Sequence, residues 1–140
     1  MRVLIDTNIV LDVLIQREPF FEHSQLVMLA SERKLIHGFV SASSITDIFY
    51  ISIKCTKDKK KTYELVKKLL MGTVDTAAVD GDIIFQALDA EWNDFEDCVQ
   101  YVVGERISAD YIVTRNPGDF KNSRIKVVTP EELLKIIAPE

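Results

Sequence analysis

No run in this chain approaches the roughly 18 uncharged apolar residues of a membrane-spanning helix. No secretory h-region follows the N-terminus either, because Asp6 and Asp12 interrupt it. Both absences predict a soluble, cytoplasmic protein with no membrane partner. Cysteine is scarce: Cys55 and Cys98 lie far apart, with no neighbour at CxxC spacing. That excludes a disulfide scaffold and predicts two buried, reduced thiols. His23 and His37 lack partners at metal-ligand spacing, which argues against zinc. There is no Gly/Ser/Pro-rich linker, no repeat and no low-complexity tail, so the 140 residues predict one domain, 1–140. Positive charge is also in deficit, with a net charge of −5. A phosphate-binding surface is usually basic. The objection weakens if several acids converge on one cavity around divalent cations, two of which would offset about four charges.

What the chain does contain is 47% hydrophobic residues, enough for a sizeable core, arranged in alternating periods. Residues 2–5, Arg-Val-Leu-Ile, read as a strand buried on both faces. Behind Asn8 the apolar spacing becomes helical, through Ile9, Val10, Val13 and Leu14. The same reading predicts helices over 8–15, 20–33, 44–54, 58–71, 81–91 and 95–107. Strands are predicted over 38–40, 111–114 and 126–128, with a short extended piece near Val74. Thr129-Pro130-Glu131-Glu132 is a capping box with proline at the first helical position, which starts a last helix. Strands alternating with helices imply a parallel sheet covered on both faces, a three-layer α/β/α sandwich.

The acids fall at one kind of place in that plan. Asp6 follows the first strand, where an open α/β sheet binds its ligands. Asp47 lies near the start of the helix after the second strand. Asp94, Glu96 and Asp97 open another helix, and Asn116 and Asp119 follow a late strand. Each has a purely structural alternative. Asp6 and Asn8 could cap the first helix, Ser44-x-x-Asp47 could be a capping box, and Asp94 could be an N-cap. Asp119 could be a turn residue after Pro117-Gly118. Together they offer oxygen-only ligands, which suit hard cations such as Mg²⁺ or Mn²⁺. Lys57-Asp58-Lys59-Lys60-Lys61 is the one basic run, and reads either as an RNA contact or as the solvated start of a helix.

Three motifs in order resemble the PIN domain: DTN at Asp6–Asn8, DFED at Asp94–Asp97 and TRNPGDF at Thr114–Phe120. The similarity is to bacterial single-domain PIN proteins, the group that includes VapC-type toxins, and it spans essentially the whole chain. The resemblance implies a parallel sheet of four to five strands and a metal-dependent endoribonuclease using one or two Mg²⁺ or Mn²⁺ ions. It maps catalytic acids onto Asp6, Asp47, Asp97 and Asp119, with Asp94 as a further metal ligand. Thr7, Asn8, Thr114 and Asn116 would support these carboxylates, and Arg115 would contact substrate phosphate. RNA, an antitoxin protein and a second copy of the chain are the partners implied, the last also by Phe20, Phe21, Phe49, Tyr50 and Tyr63. A non-catalytic module binding RNA or protein is the competing reading. It is favoured by Asp47 and Asn116, where the family more often has glutamate and aspartate. A receiver or phosphatase fits less well, since no DxD follows the first strand and no lysine follows a later one in the required place.

Overall fold

The computed structural model describes residues 1–138. β1 (Arg2–Ile5) leads into α1 (Thr7–Leu14) and α2 (Phe21–Glu32). β2 (His37–Ser41) is followed by α3 (Ala42–Thr56) and α4 (Lys59–Gly72), and β3 (Asp75–Ala77) by α5 (Gly81–Ala90) and α6 (Phe95–Arg106). β4 (Tyr111–Val113), a 3₁₀ turn at Pro117–Phe120, β5 (Lys126–Val128) and α7 (Pro130–Ile137) complete the described chain. The strands form one five-stranded sheet in the order β3-β2-β1-β4-β5. Every adjacent pair is parallel, so the expected α/β architecture is borne out.

β1 is central, and its continuous apolar run follows from that: Val3, Leu4 and Ile5 are all fully buried. Val3 and Ile5 face one core with Ile9 and Val10 of α1, Val27 of α2, Ile48 of α3 and Leu133 of α7. Leu4 faces the opposite core with Ile83 of α5, Val99, Val102 and Val103 of α6, and Ile112 of β4. The two cores make the three layers. The chain builds outward from β1 to β2 and β3, then returns to lay β4 on the other side of β1. Strand order therefore reverses between β1 and β4, where the carboxyl ends open a crevice.

Local signals set several boundaries. The capping box at Thr129 forms as read: Thr129 Oγ accepts from the Glu132 amide at 3.2 Å, and Glu132 Oε1 accepts from the Thr129 amide at 2.9 Å. α3 begins two residues earlier than its apolar spacing predicts, because Ser41 and not Ser44 is its N-cap. The Ser44-x-x-Asp47 capping box accordingly does not form. In the basic run Asp58 caps α4, accepting from the Lys61 amide at 3.0 Å. Lys59 and Lys60 stand exposed on its first turn, as expected for a solvated helix start. Cys98 is buried, but Cys55 is exposed on the last turn of α3, contrary to the expectation of two buried thiols. Among the described residues no helix is long and apolar enough to cross a membrane.

Candidate active site

The β1–β4 ladder extends one bond past β1, from the Asp6 amide to the Val113 carbonyl at 3.0 Å. That bond sets Asp6 beside Thr114 at the mouth of the crevice. Asp6 is also the N-cap of α1, with its Oδ1 accepting from the Thr7 amide at 2.8 Å. The fully buried Thr114 hydroxyl donates to Asp6 Oδ2 at 2.7 Å. The structural alternative therefore holds, Asp6 being the cap, and the same interaction fixes the carboxylate at the mouth of the crevice.

A cavity of about 630 Å³ opens beside it. Asp6, Thr7, Asn8, Asp47, Asp97, Arg115, Asn116 and Asp119 all line it, from β1, α1, α3, α6 and the β4–β5 connection. Asp47 sits exposed on α3 at the rim. Asp94 lies outside this cavity, in a neighbouring depression that shares Asp97 and Asp119 with it. There it caps α6, accepting from the Asp97 amide at 2.9 Å. Asn116 is exposed, and its amide donates to Thr114 Oγ at 3.1 Å. Thr7 was expected to orient a carboxylate with its hydroxyl. That hydroxyl instead donates to Ser44 Oγ at 2.8 Å, and the backbone amide serves the carboxylate. Arg115 reaches the cavity wall with its guanidinium 3.8 Å above the centre of the Phe20 ring.

Beneath the acids lies a polar layer that periodicity did not disclose. Gln100 on α6 is buried, and its Nε2 donates to Ser44 Oγ at 2.9 Å. The same nitrogen lies 3.4 Å from both Asp6 Oδ1 and Thr7 Oγ. Ser44 Oγ in turn bonds Ser41 Oγ at 2.8 Å. Three elements are tied together through one amide. The available signal was a glutamine three residues past Asp97, one helical turn along the same face, within an otherwise apolar stretch.

The electrostatics follow from crowding. Burial raises the Asp6 carboxyl above its ordinary range, against hydrogen bonds from Thr114 and Thr7 that lower it. Asp97 is pushed up to about 7, first by burial and then by the charges of Asp94, Asp6, Asp119 and Glu96. Among the described residues no donor reaches two buried acceptors, Asn8 Oδ1 and Gln100 Oε1. An all-oxygen set of carboxylates and amide oxygens has the chemistry to suit a hard divalent cation. Among the described residues no three such side chains already lie close enough together to hold an ion, so the ring is open as it stands.

The fold is that of an open parallel α/β domain with an acid-lined cavity at its topological switch point, where such sheets bind ligands. A family model for the PIN domain matches residues 2–117, and the chain belongs to that family. It is 28% identical over 138 residues to a ribonuclease VapC1 of Aquifex aeolicus (strain VF5), covering 94% of this chain and 92% of that protein. Its fold is similar to that of a toxin–antitoxin complex from Klebsiella pneumoniae, with a TM-score of 0.67 at 20% identity, covering 91% of this chain and 97% of the other. It is also similar to Mycobacterium tuberculosis VapC20, described as a sarcin–ricin-loop-cleaving toxin. The TM-score there is 0.63 at 10% identity, covering 79% of this chain and 86% of the other.

Proposed function

We propose that this protein is a Mg²⁺- or Mn²⁺-dependent endoribonuclease of the cytoplasm, acting as the toxin of a toxin–antitoxin pair. The observation that carries the reading is the gathering of Asp6, Asp47, Asp97 and Asp119 around one cavity, where burial and acidic neighbours push the Asp97 carboxyl up to about 7. The name of the Aquifex relative supports RNA as substrate, and the Klebsiella complex supports an antitoxin partner.

Asp6, Asp97 and Asp119 would hold the cation, with Asn8 Oδ1 as an uncharged donor and Asp47 closing from the rim. Asp94 would act through the start of α6, keeping Asp97 in place and raising its proton affinity. When bound, one or two divalent ions supply charge neutralisation at the phosphoryl group and a nucleophilic water. The chain's own residues supply rigidity. Thr114 and the Thr7 amide hold both oxygens of Asp6, while Gln100 joins that carboxylate to Ser44 and α3. Preorganisation of this kind keeps the ligands from rearranging as charge develops.

The test is cleavage of a mixed RNA pool by pure protein. Mg²⁺ and Mn²⁺ are expected to support cleavage and EDTA to abolish it. Ca²⁺ is expected to support binding with little turnover, because its looser oxygen geometry at about 2.3–2.6 Å does not fix an in-line water. Cleavage that survives EDTA refutes the reading. No cleavage with either metal favours the non-catalytic module.

A second copy of the chain is part of the same reading. Tyr50, Tyr63, Phe85, Leu88 and Phe95 remain exposed. Ile51, Ile84 and Phe95 carry the apolar surface to the rim of the cavity. Phe49 packs against the core, and Phe20 carries Arg115, so these two of the five aromatics expected at an interface are already engaged. Light scattering is expected to give about twice the 15.9 kDa chain mass, and a monomer at micromolar concentration counts against the dimer.

A further inference from the structure

We propose that the buried carboxylate of Asp12 is a positioning residue that holds Arg17 and Arg115 as a two-pronged clamp for the phosphodiester backbone of single-stranded RNA. The proposal rests on the ribonuclease reading and extends it to how a strongly acidic cavity retains a polyanion.

Asp12 lies on α1 and is fully buried. An acid there costs much free energy unless it is paired. Its Oδ1 lies 3.1 Å from Arg17 Nε, and its Oδ2 lies 2.9 Å from Arg115 Nε. The Ser24 hydroxyl donates to Oδ2 at 2.9 Å. The Arg115 contact is ionic rather than an aligned hydrogen bond, since that N–H has no acceptor in line. One aspartate thus gathers two guanidiniums from the α1–α2 loop and the β4–β5 connection, leaving a local excess of one positive charge.

Both arginines line the acid cavity, where the other charged side chains are Asp6, Asp47, Glu96, Asp97 and Asp119. They are the cationic groups among the described residues of that lining. Asp12 accepts from the Nε of Arg17, lies in ionic contact with the Nε of Arg115, and leaves the terminal amino groups of both. Arg17 uses one of these on the Asn8 carbonyl at 3.2 Å. No hydrogen bond among the described residues engages the terminal amino groups of Arg115. The Phe20 ring, 3.8 Å from the Arg115 guanidinium carbon, fixes the plane of the fork. A guanidinium oriented through Nε with its terminal nitrogens spare can take a phosphate in two parallel hydrogen bonds. Compensating one buried carboxylate needs one arginine. The one excess positive charge is shared over the donors that Asp12 leaves free on both arginines, and these form the two prongs of the phosphate clamp.

The test measures anisotropy of a fluorescein-labelled, mixed-sequence single-stranded RNA across a salt series in Ca²⁺ buffer. Arg17→Gln and Arg115→Gln are each expected to bind about tenfold more weakly, the loss of one charge-assisted hydrogen bond. Each should also make the log–log salt slope shallower by about 0.7, the value for one single-strand phosphate contact. Asp12→Asn gives the discriminating sign. Net charge alone predicts tighter RNA binding once a negative charge is removed. The clamp predicts weaker binding, because both forks lose their anchor. Arg115→Lys keeps the charge but cannot hold Asp12 and a phosphate together, so it too should weaken binding. It decides the matter if Asp12→Asn fails to fold by near-ultraviolet circular dichroism. Unchanged slopes in both glutamine variants overturn the clamp. So does tighter binding by folded Asp12→Asn, wild-type affinity in Arg115→Lys, or no measurable wild-type binding at low salt. Wild-type RNA cleavage with unchanged slopes would leave the nuclease standing and remove the clamp. Slope loss without cleavage under any metal would do the reverse.

Discussion

Asp6→Asn is expected to cleave RNA more than about 100-fold more slowly than the wild type and, in EDTA, to melt at a higher temperature. The two effects have one cause. Asp6 lines the acid cavity as a proposed metal ligand, and even partners that merely orient such a ligand are worth about 10–100-fold, so the ligand itself should be worth more. In the metal-free protein the same charge is a liability. Burial and Asp119 raise the Asp6 carboxyl despite the hydrogen bonds from Thr114 and Thr7, so the fold disfavours its ionised form. An asparagine keeps the shape and one accepting oxygen while removing the charge. The gain should be roughly 1 kcal/mol, a shift of a few degrees in a domain of this size. With saturating Mg²⁺ the order should reverse, because a cation that binds the native state stabilises only the protein that can hold it. A lower melting temperature for the mutant in EDTA would refute the repulsion argument.

Asp97→Asn is expected to lose a comparable share of activity and, in addition, to remove a pH dependence of stability. The Asp97 carboxyl is raised from 3.8 to about 7 in the folded protein, by burial and by its acidic neighbours. Between those values the native state holds a proton that the unfolded chain has released. The contribution is therefore fully present below about pH 4 and is lost as pH rises through about 7, where it levels off. Metal-free wild type should lose stability over that window, and Asp97→Asn should be flatter. A cation needs the ionised carboxylate, so Mn²⁺ affinity should strengthen as pH rises through about 7 and then plateau. Melts in EDTA across this range test the first part. A constant difference between the two proteins from about pH 5 to 8 would show that Asp97 titrates normally. Unaltered Mn²⁺ affinity in Asp97→Asn would remove it from the metal ligands.

The sequence by itself determined the layered plan and the locations of the acids, because both are written in local pattern. A strand apolar at successive positions, Val3-Leu4-Ile5, must be covered on both faces, which makes it central in a parallel sheet. An acid immediately after such a strand must emerge at the carboxyl edge, as Asp6 does. The Thr129 capping box involves residues three apart and was legible for the same reason. Only the tertiary structure decided which polar residues serve those acids. Thr114 reaches Asp6 across 108 positions, and Gln100 reaches Ser44 across 56. Neither pairing leaves a trace in periodicity. Asp12 is the clearest case. In the sequence it is an acid between Leu11 and Val13, noticed only for interrupting an apolar run. In the fold it is fully buried between two arginines, one of them delivered from far along the chain by the neighbouring strand β4. Ser41, extended at the end of β2, caps α3 by accepting from the Ser44 amide, and the Ser44 hydroxyl is left to bond Thr7 and Gln100. Local propensity reports how a residue suits its own element. The partner that makes a buried polar group affordable comes from another element, and only packing brings the two together.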